Sequence, residues 1–582
     1  MHNTQARHKK VSQNNNKQNN KNKRNNKSQV LSMRYFVHAG RVLPVLLPLL
    51  AALPAHGQLL TNLSLGNPKG LALGNAVTAD PPGIDSIHFN PAGLARIKGR
   101  QINLKLLVAQ VDVESRFGQP VKPTTEDKQV YYDVNEQCQT DYPAGDANAL
   151  NQCWGVDPVA GQTTKSGDPV VMIPFVGVQE VPILAFPMGG MAFEDAKNNW
   201  VLGSAVYVPE GIGLTREEDG PGAYQGREVA LTRLTYFSPT IALPIGEDLM
   251  VGLGINMSYQ GLYVQTEFRA PTLTLGYIRD LNNIAGSPLP PIEFGPYDSA
   301  GLLTLELEDM LSVGFNFGLL WEPTSWLALG FVYRSESKSD MSGDFKMENS
   351  EKFLHTTTGL SESPLVSGLI VGLGGAPLNA QAVEKGSVEL EYITPQNLAF
   401  GASIRVLPDL KLNLDLKWVE YSRWDELVFN FDRDVDFLSF GTAISRAAGY
   451  NNTSPDTMTI SRQYEDTWSW AVGLEYQLNA NWVARVGYEP RTSSIPDDRT
   501  DLLFPLGEMQ LYTAGLGWQF DRVTQIDAAI AYLYSETSTP ACESDNANSC
   551  QEGNVVYNPY FSTPFENEVN GILVALSIDR KF

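Results

Sequence analysis

The sequence has no apolar run long enough for a membrane-spanning helix beyond its N-terminal region. A helix needs about 20 predominantly apolar residues to cross a bilayer, and no run of 18 or more follows residue 57. This absence argues against a helical membrane protein. The mean hydropathy of -0.19 fits a soluble protein, and it also fits a barrel whose strands show lipid only every second residue.

Side chains that carry catalysis are scarce. Only two histidines, His88 and His355, follow residue 57, and the motifs GxSxG and HExxH are absent. A membrane lipase or acyltransferase needs a serine with a histidine or an equivalent base, so the sequence does not favour an enzyme. The cysteines lack CxxC spacing, and histidine ligands are lacking. We therefore expect no metal and no cofactor.

Acidic residues far outnumber basic ones once the N-terminal region is set aside. The first 57 residues carry ten Lys or Arg and no Asp or Glu, which leaves 33 basic and 65 acidic side chains in the remainder. Such a charge argues against nucleic acid as a partner. In an outer membrane the acidic groups would be bridged to anionic lipopolysaccharide by divalent cations, or would act only as solubilising charge.

The N-terminal region has the pattern of a secretory leader. Residues 1–32 form an Asn/Lys/Gln tract of low complexity. Arg34 and Arg41 then precede an apolar core at 42–53, followed by the small-x-small sequence Ala55-His56-Gly57. We expect cleavage before Gln58, with translation starting at Met1 or Met33. The alternative, an N-terminal anchor helix, conflicts with a core of only twelve residues.

The segment after the leader, residues 58–99, is predicted to form a plug or a loop. Four glycines precede Asn90 and a Pro-Pro pair stands at 81–82, with neither a sustained period of two nor a helical stripe. From Arg100 onward, in contrast, apolar and polar residues alternate, as in strands with one apolar face. Such faces include Ile102, Leu104, Leu106 and Val108; Val251, Leu253, Ile255 and Met257; and Trp468, Trp470, Val472 and Leu474.

The connections between these predicted strands alternate between short and long. Tight turns are predicted at 243–248, 322–325, 407–409, 478–481 and 521–524, and long polar stretches near 116–169, 270–308, 347–387, 431–461, 491–507 and 536–562. Transmembrane barrels have short periplasmic turns and long extracellular loops. We therefore predict an all-β fold, a transmembrane antiparallel barrel of about 14 strands over residues 100–582.

The end of the chain and the cysteines support this assignment. The last predicted strand alternates from Ile572 to Ile578 and the chain ends on Phe582, which resembles the assembly signal of bacterial outer-membrane barrels. The cysteines form two close pairs, Cys138 with Cys153 and Cys542 with Cys550, in predicted outer loops. An oxidising compartment favours disulfides there, and we predict one within each pair.

Several segments of the sequence resemble the FadL/TodX family of outer-membrane transport proteins. GNAVTAD and FNPAGLA, at residues 74–80 and 89–95, are similar to the family's N-terminal hatch, and Asn90, Pro91 and Ala92 match its NPA motif. WLALGFVYRSESKSDMSGDF (326–345), NLDLKWVEYSRWDEL (413–427) and YEDTWSWAVGLEYQLNANWVARVGY (464–488) are similar to its strands. The loops near 116–169 and 431–461 depart from the family by their length, so loop-borne ligand contacts are not transferred.

The resemblance implies uptake of hydrophobic molecules, long-chain fatty acids above all, across a bacterial outer membrane. It implies capture at the loops, a pocket inside the barrel and lateral exit at an inward kink of the third strand. The expected partners are the hydrophobic solute, outer-membrane lipids with lipopolysaccharide, and the barrel-assembly machinery, and a monomer is expected. Alternatives are an aromatic hydrocarbon or alkane channel of the same family and a structural or adhesin-type barrel.

The kink of the third strand is predicted within 201–214. Pro209 removes a ladder donor, and Gly211 and Gly213 tolerate a bulge or bend; an ordinary strand end is the alternative. In the NPA motif, Pro91 biases Asn90 to an extended conformation. The amide of Asn90 can both donate and accept, so we expect it to latch onto exposed backbone at the strand kink.

Alternation also assigns charged residues to the lumen. In the strand at 326–338 the apolar positions would face lipid, so the lumen would receive Arg334, Glu336 and Lys338; by the same count it receives Lys105, Asp415, Lys417 and Arg485. A carboxylate in an apolar pocket needs a cation, so Arg334, Lys417 and Arg485 are candidate ligand contacts. Alternatively they pair with neighbouring carboxylates or hold the hatch. A one-residue register shift would reverse every assignment.

Overall fold

The computed structural model describes residues 65–122, 157–269, 294, 297–362, 368, 379–447, 449–551 and 558–582. These residues belong to one compact unit, Ala55–Phe582. In this part of the chain no helix is long and apolar enough to cross a membrane. The predicted leader and the predicted Cys138–Cys153 pair lie outside the described residues.

Antiparallel strands close into a barrel, because the first strand pairs with the last along its length. The strands are β1 (Arg100–Phe117), β2 (Thr163–Lys165), β3 (Val170–Ile173), β4 (Gly177–Glu180), β5 (Leu184–Asp195), β6 (Trp200–Thr215), β7 (Glu228–Phe237), β8 (Thr240–Ile245), β9 (Leu249–Arg269), β10 (Ser299–Thr324), β11 (Leu327–Arg334), β12 (Ser337–Asn349), β13 (Val383–Thr394), β14 (Asn397–Leu407), β15 (Leu410–Val419), β16 (Glu426–Phe431), β17 (Thr457–Ser461), β18 (Thr467–Gln477), β19 (Trp482–Arg491), β20 (Glu508–Gln519), β21 (Thr524–Thr539) and β22 (Phe565–Lys581).

The barrel has 14 strand paths, as the sequence predicts. Nine are β1, β5, β6, β9, β10 and β19 to β22, and five consist of two segments each: β7–β8, β11–β12, β13–β14, β15–β16 and β17–β18. The hairpin β3–β4 forms a separate small sheet. Both ends of the barrel chain lie at the end with the short turns, since Phe582 N donates to Arg100 O at 2.8 Å. We call the short-turn half of the barrel the lower half.

The segment breaks lie side by side around the wall. Asn316, Arg334, Asn397, Val419 and Thr467 are successive register partners, and all but the first stand at the end of a segment. Register shifts continue this line at 207–210 in β6 and 309–312 in β10. We call the whole series, from β6 to β18, the break line.

The two faces of the wall exchange their chemistry at the break line. Below it in β10, Val313 and Phe315 are 50% and 47% exposed and point outward, whereas above it Leu305 and Leu307 are buried in the lumen. All four positions are odd, so the apolar residues keep the same parity on both sides of the bulge. The bulge reverses the direction of their side chains, which face lipid below it and the lumen above it. The lower half is therefore apolar outside, and the upper half along this wall is apolar inside.

The N-terminal segment lies inside the lower half. It contains the helices α1 (Pro68–Ala72) and α2 (Ser86–Phe89) and the 3-10 turns Gly83–Asp85 and Pro91–Arg96, which pack on β8, β9, β10 and β19 to β22. Leu73, Ile87 and Leu94 are fully buried. A segment with apolar residues but no strand period buries them as a compact plug, so we keep the name hatch for residues 65–99.

The upper half is filled by the apolar faces of two loop helices, α3 (Glu351–Glu362) and α4 (Asp436–Ala447). Phe353 of α3 meets Phe437 and Phe440 of α4 with ring centroids 6.0 and 5.5 Å apart. Phe268 of β9 lies 4.9 Å from Phe437. The upper lumen is thus a continuous aromatic and aliphatic core between loops and wall.

Candidate functional site

The NPA motif forms a junction between the hatch and β10. Asn90 is fully buried, and its Nδ2 donates to Thr78 O at 2.8 Å and to Leu319 O at 3.0 Å. Its Oδ1 accepts from Ala92 N at 3.2 Å and caps the turn that Pro91 begins. The amide of Asn90 therefore binds backbone of the hatch and of β10, whereas the sequence predicted a contact with backbone at the strand kink.

Glycines in the barrel wall make this close approach possible. A Cβ at Gly318 would overlap Asn90 and Pro91, and a Cβ at Gly252 would overlap the backbone of Pro91. A Cβ at Gly330 would likewise meet the carbonyl of Thr78. The luminal glycines of β9, β10 and β11 are therefore the receptor for the hatch, and any side chain there would displace it.

Asp415 is the strongest single hatch anchor, and sequence reasoning placed it in the lumen without giving it this role. Its Oδ2 accepts from Val77 N at 3.0 Å, Thr78 N at 3.0 Å and Thr78 Oγ1 at 2.7 Å. A carboxylate that accepts several backbone N–H groups makes strong charge-assisted hydrogen bonds. The Thr-Ala-Asp sequence of the hatch does not indicate that Asp415 is its partner, because the two lie 337 residues apart in the chain.

Arg334 holds the carboxyl end of α2. Its guanidinium donates to His88 O at 2.7 Å and to Phe89 O at 3.2 Å, and to Asn397 Oδ1 at 2.7 Å. Terminal helix carbonyls that are buried need such donors. Arg334 thus holds the hatch, which is the alternative that the sequence left open. In this arrangement its guanidinium is not a ligand contact.

Lys417 and Arg485 are likewise engaged by the protein. Lys417 Nζ lies 2.9 Å from Glu489 Oε1, and Arg485 lies 2.8 Å from Glu475 and 2.6 Å from Asp527. Isolated cations in the lower lumen would be costly to bury, so each has a carboxylate partner. As for Arg334, the alternative of neighbouring ion pairs describes these two residues better than a ligand contact.

The predicted luminal position of Lys338 was wrong. Lys338 is exposed on the outer wall and pairs with Asp340 and Glu391 at 3.0 and 2.8 Å. Glu336 lies in the break itself and pairs with the exposed Arg423 at 3.1 Å. The assignment of alternate residues to lipid and lumen holds up to Arg334. The break at 335–336 reverses the direction of the side chains that follow.

Ion pairs tie the lower end of the hatch to the wall. Asp80 lies 2.9 Å from Lys69, 3.4 Å from Arg96 and 2.8 Å from Lys411 of β15. Burial alone would raise the pKa of Asp80, but these three cations outweigh it and hold the pKa well below its usual range. Cavities of about 470 and 370 Å³ flank this cluster at the short-turn end.

His88 of the hatch is buried among cations. Its ring packs 5.1 Å from the ring of Tyr207 in β6. Burial, followed by the charges of Arg334 and Lys105, lowers the pKa of His88 well below its usual value. The seated hatch therefore holds this imidazole neutral, which makes it a titratable element of the hatch contact.

The kink of β6 is a bulge at 208–209. The ladder with β7 shifts between Tyr207↔Thr235 and Glu210↔Arg233, so Pro209 stands at the irregularity. In the described strands β6 pairs with β5 only up to Val206↔Gly189. Above that point the two strands diverge, and a Cβ at Gly211 would lie 3.4 Å from the ring of Phe186 in β5. We call this divergence the wall gap.

Gly213 has a different local role from Gly211. A Cβ there would overlap the carbonyl of Val170 in β3. Val170 and Met172 pack with Ala230 and Tyr263 as a separate small cluster, so the hairpin β3–β4 covers the outer wall of β6, β7 and β9. Gly213 thus permits close approach of this hairpin.

One predicted cysteine pair lies in the described residues. Cys542 and Cys550 are joined by a disulfide. The loop that they close packs against other loops, since Arg499 lies 2.6 Å from Asp545 and Gln225 Nε2 donates to Asn546 O at 2.6 Å. The disulfide therefore belongs to a polar cap over the upper end of the barrel.

Comparisons with known proteins agree with this architecture. The family described as "Outer membrane protein transport protein (OMPP1/FadL/TodX)" matches residues 49–582. The chain is 23% identical over 228 residues to a long-chain fatty acid transport protein of Escherichia coli O6:H1, covering 39% of this chain and 43% of that protein. It is 20% identical over 228 residues to the same-named protein of Salmonella typhi, covering 38% and 43%. The alignments thus span less than half of these curated relatives.

Solved structures share the fold at low sequence identity. A Pseudomonas aeruginosa FadL homologue has a TM-score of 0.60 at 16% identity, covering 91% of this chain and 99% of its own. The Ralstonia pickettii toluene transporter TbuX has a TM-score of 0.53 at 14% identity, covering 90% and 99%. The family and these neighbours are transport proteins and not enzymes. The chain is therefore a bacterial outer-membrane barrel that belongs to the OMPP1/FadL/TodX family of transport proteins.

Proposed function

We propose that this protein takes up long-chain fatty acids across the outer membrane and releases them sideways through the wall gap. The observation that carries the proposal is the apolar upper lumen above a hatch that polar contacts tie to the wall. Leu305, Phe345 and Phe431 are among its buried wall residues. An acyl chain that enters from the loops and displaces α3 and α4 from this wall would find favourable apolar contact there.

The lower lumen is a poor route for the same solute. Asp80, Asp415 and Arg485 with their partners fill it with ion pairs and hydrogen bonds. An acyl chain passing there would break these contacts without replacing them, and unpaired buried charges are costly. In the described part of the chain, the strands β5 and β6 are not paired above Val206. Movement of the Phe186 ring away from Gly211 would open a path there from the apolar lumen to lipid without that cost.

The hatch would act as the floor of this path. Its proposed extent is residues 58–99, with Asn90, Pro91 and Ala92 as its junction to β10, and the barrel would extend over 100–582. Arg334, Lys417 and Arg485 stay proposed carboxylate contacts only for a state in which the hatch has moved. Such a state must bind the ligand better than the seated state does.

Aromatic hydrocarbon or alkane uptake is the second candidate. It is favoured by the fold shared with a toluene transporter, whereas the curated relatives are long-chain fatty acid transport proteins. Uptake of labelled oleate, hexadecane and toluene by cells carrying the protein separates the two. Oleate uptake well above the other two is expected, and uptake of the hydrocarbons alone would overturn the fatty-acid assignment.

Lateral release is tested by filling the wall gap. Gly211→Phe should reduce oleate uptake about tenfold, because the new ring would occupy the space beside Phe186. Val486→Phe, a change on the exposed outer face of β19, is the matched control and should leave uptake unchanged. Normal uptake by a folded, heat-modifiable Gly211→Phe protein would exclude exit at this gap.

A further inference from the structure

The hairpin β3–β4 arises from an interruption in the barrel wall. β5 and β2 both pair with β1, at its residues 100–109 and 114–116, so they are the lower and upper parts of one strand path. Residues 167–183 between them leave this path and contain the hairpin, and we call them the strap. Pro169 and Pro182 flank the hairpin, and a proline cannot donate a ladder hydrogen bond. The chain therefore leaves the wall between β2 and β5, at the level of the wall gap.

The wall gap has an upper edge as well as a lower one. At the lower edge, the pairing of β5 with β6 ends at Gly189↔Val206. At the upper edge, Ser166 forms a bridge with Arg216, the residue that follows β6. Arg216 is 5% exposed and donates to Leu502 O at 2.6 Å, which fixes this edge to the loops above. The wall gap is thus an opening of limited height between β1 and β6, and the strap begins and ends at its edges.

Contacts of the strap fill this opening. Gly167 N donates to Thr215 O at 2.9 Å, and Thr215 Oγ1 donates to Asp168 O at 2.8 Å, so the base of the strap is tied to the edge of β6. Four partly buried apolar side chains of the strap, β5 and β6 pack against the apolar core of the barrel: Val171, Val181, Phe186 and Ile212. In the described strands, side chains rather than ladder hydrogen bonds therefore close the wall above the last β5–β6 pair.

Beyond its base the strap lies on the outer wall and crosses further strands. Its contacts follow one row of register partners on β6, β7, β9 and β10: Gly213, Ala230, Tyr263 and Glu306. Val170 lies against the first of these residues, Met172 packs with the middle two, and Gly177 lies against the last. The strap therefore runs across four strands at one level of the barrel, from the wall gap to β10.

The strap is held less firmly than the ladders around it. A small cluster joins two of its buried side chains, Val170 and Met172, to the outer wall. At its tip, Phe175 and Val176 are 87% and 61% exposed. A two-stranded hairpin is marginally stable by itself in water, and elements with few buried apolar contacts open at a low free-energy cost. β1 and β22, in contrast, stay paired over residues 101–117 of β1. The strap is therefore the part of this wall that can detach while the barrel stays closed.

We propose that the strap is a movable cover of the wall gap, and that its release from the outer face of β7, β9 and β10 opens the path from lumen to lipid. Val181 would leave the opening with the strap, and the Phe186 ring could then turn away from Gly211. The ladders of β2 and β5 with β1 would stay intact and act as the two fixed ends of the moving segment. This inference rests on the proposed lateral release and adds the segment that controls it.

The first test releases the strap with one methyl group. A Cβ at Gly213 would overlap the carbonyl oxygen of Val170, so Gly213→Ala should favour the released strap about tenfold, a size typical of an overpacked contact. The readout is the rate at which a water-soluble maleimide labels Met172→Cys, a position that is 1% exposed in the docked strap. Labelling should accelerate to the same extent, because the thiol reacts in the released strap.

Gly571→Ala in β22, also combined with Met172→Cys, is the matched control. The added methyl would lie 3.2 Å from Leu533 Cβ and would leave the strap untouched, so the labelling rate should stay unchanged. Equal labelling rates in the Gly213→Ala protein and this control would overturn release of the strap.

The second test holds the strap on the wall. Val176→Cys and Glu306→Cys place two thiols at exposed positions, close together because Gly177 lies against Glu306, and a reducible bismaleimide joins them in the folded protein. The cross-link should lower oleate uptake about tenfold through the smaller population of released strap, and reduction should restore it. Ser538→Cys with Glu566→Cys, exposed register partners on β21 and β22, is the control and should keep full uptake when cross-linked.

The outcomes separate the strap from the proposed function. Normal uptake with the strap cross-linked, together with reduced uptake by Gly211→Phe, would overturn the strap as the cover and leave lateral release intact. Normal uptake by both proteins would refute lateral release and the strap with it. If the unmutated protein takes up no oleate, the fatty-acid assignment fails, and the same cross-link is then measured with labelled hexadecane and toluene. If Gly213→Ala is not heat-modifiable, the cross-linked protein decides.

Discussion

Two strands of the same barrel pass from the lipid-facing lower half to the upper half in different ways. In β22 the even positions face outward throughout, and their chemistry changes along the strand from Glu568 near the loops to Ile572 and Ile578 in the lower half. In β10 the odd positions from Leu303 to Trp321 are apolar except for Asp309 at the bulge, and their direction changes there. One strand changes its sequence at the membrane edge, and the other changes its backbone.

The comparison shows what alternation can and cannot specify. A period of two defines two faces but does not say which one meets lipid. On the continuous wall the switch from charged to apolar residues marks the edge directly. On the wall with the break line, the membrane edge is marked by one or two unpaired residues in each strand. The side chains change direction there, which makes the lumen above the hatch apolar.

The largest effect is expected from removing the bulge in β10. Deletion of Met310 would remove the bulge, so that alternate residues face the same side along the whole of β10. The polar residues would then face either the upper lumen or lipid. We expect no folded, heat-modifiable protein in the outer membrane. The substitution Met310→Ala keeps the residue count and should fold, and a folded deletion variant would contradict the assigned inversion.

A charge scan on one strand sharpens the comparison. Phe315→Lys places a charge on the lipid-facing lower wall, deeper below the break line, and should destabilise the barrel by about 2–4 kcal/mol. Leu302→Lys, on the outer face of the same strand above the break line, should change stability by less than about 0.5 kcal/mol. Urea unfolding in lipid vesicles measures both, and equal costs at the two positions would place both in the same medium.

Strand and turn positions could be predicted from the sequence because alternation and loop length are local. The hatch could be predicted because its apolar residues lack a strand period and its words resemble a known family. The contacts of Asp415 with Thr78 could not, because nothing local links residues 337 positions apart. The direction of the Lys338 side chain could not be predicted, because the break at 335–336 leaves no mark in the alternation of the sequence.

One signal of the inversion was present in the residues opposite the apolar positions. In β10 the even positions include Glu306 and Glu308 above the bulge and Gly314, Asn316 and Gly318 below it. Carboxylates suit a face in water, whereas small and amide side chains suit a lumen packed against a hatch. A change from charged to small residues along one parity therefore indicates that the face has changed sides.

The hatch anchors extend the comparison to the lower lumen. Asp415→Ala removes the acceptor of three hatch hydrogen bonds, each worth about 1.5–3 kcal/mol for a charged acceptor. We expect an intact barrel with increased conductance to small polar solutes in planar bilayers. Asp340→Ala, on the exposed outer wall, is the control, and unchanged conductance in Asp415→Ala would show that this anchor does not seat the hatch.

The smallest effect is a pH dependence of hatch seating. The seated hatch lowers the pKa of His88, so a released hatch binds more protons just below the usual histidine pKa of about 6.5. Seating is therefore fully stable above that pH and weakens as pH falls, by at most about 1.4 kcal/mol per pH unit. Asp80, whose pKa is also lowered, contributes only at more acidic pH.

Conductance measured between pH 7.5 and 5 tests this dependence. The leak should increase as the pH falls, and His88→Gln should remove most of the increase because a glutamine does not titrate. An equal slope in the variant would assign the pH dependence to other groups.

The most direct test of the face inversion is a fluorescence scan of single cysteines along β10 and β22 in vesicles. Labels at odd positions 311–315 of β10 and at even positions 572–578 of β22 should be quenched by brominated lipid. Above the break line, even positions 302–308 should be quenched by aqueous iodide, and odd positions 303–307 should be protected from both quenchers. Lipid quenching at odd positions along the whole of β10 would contradict the inversion.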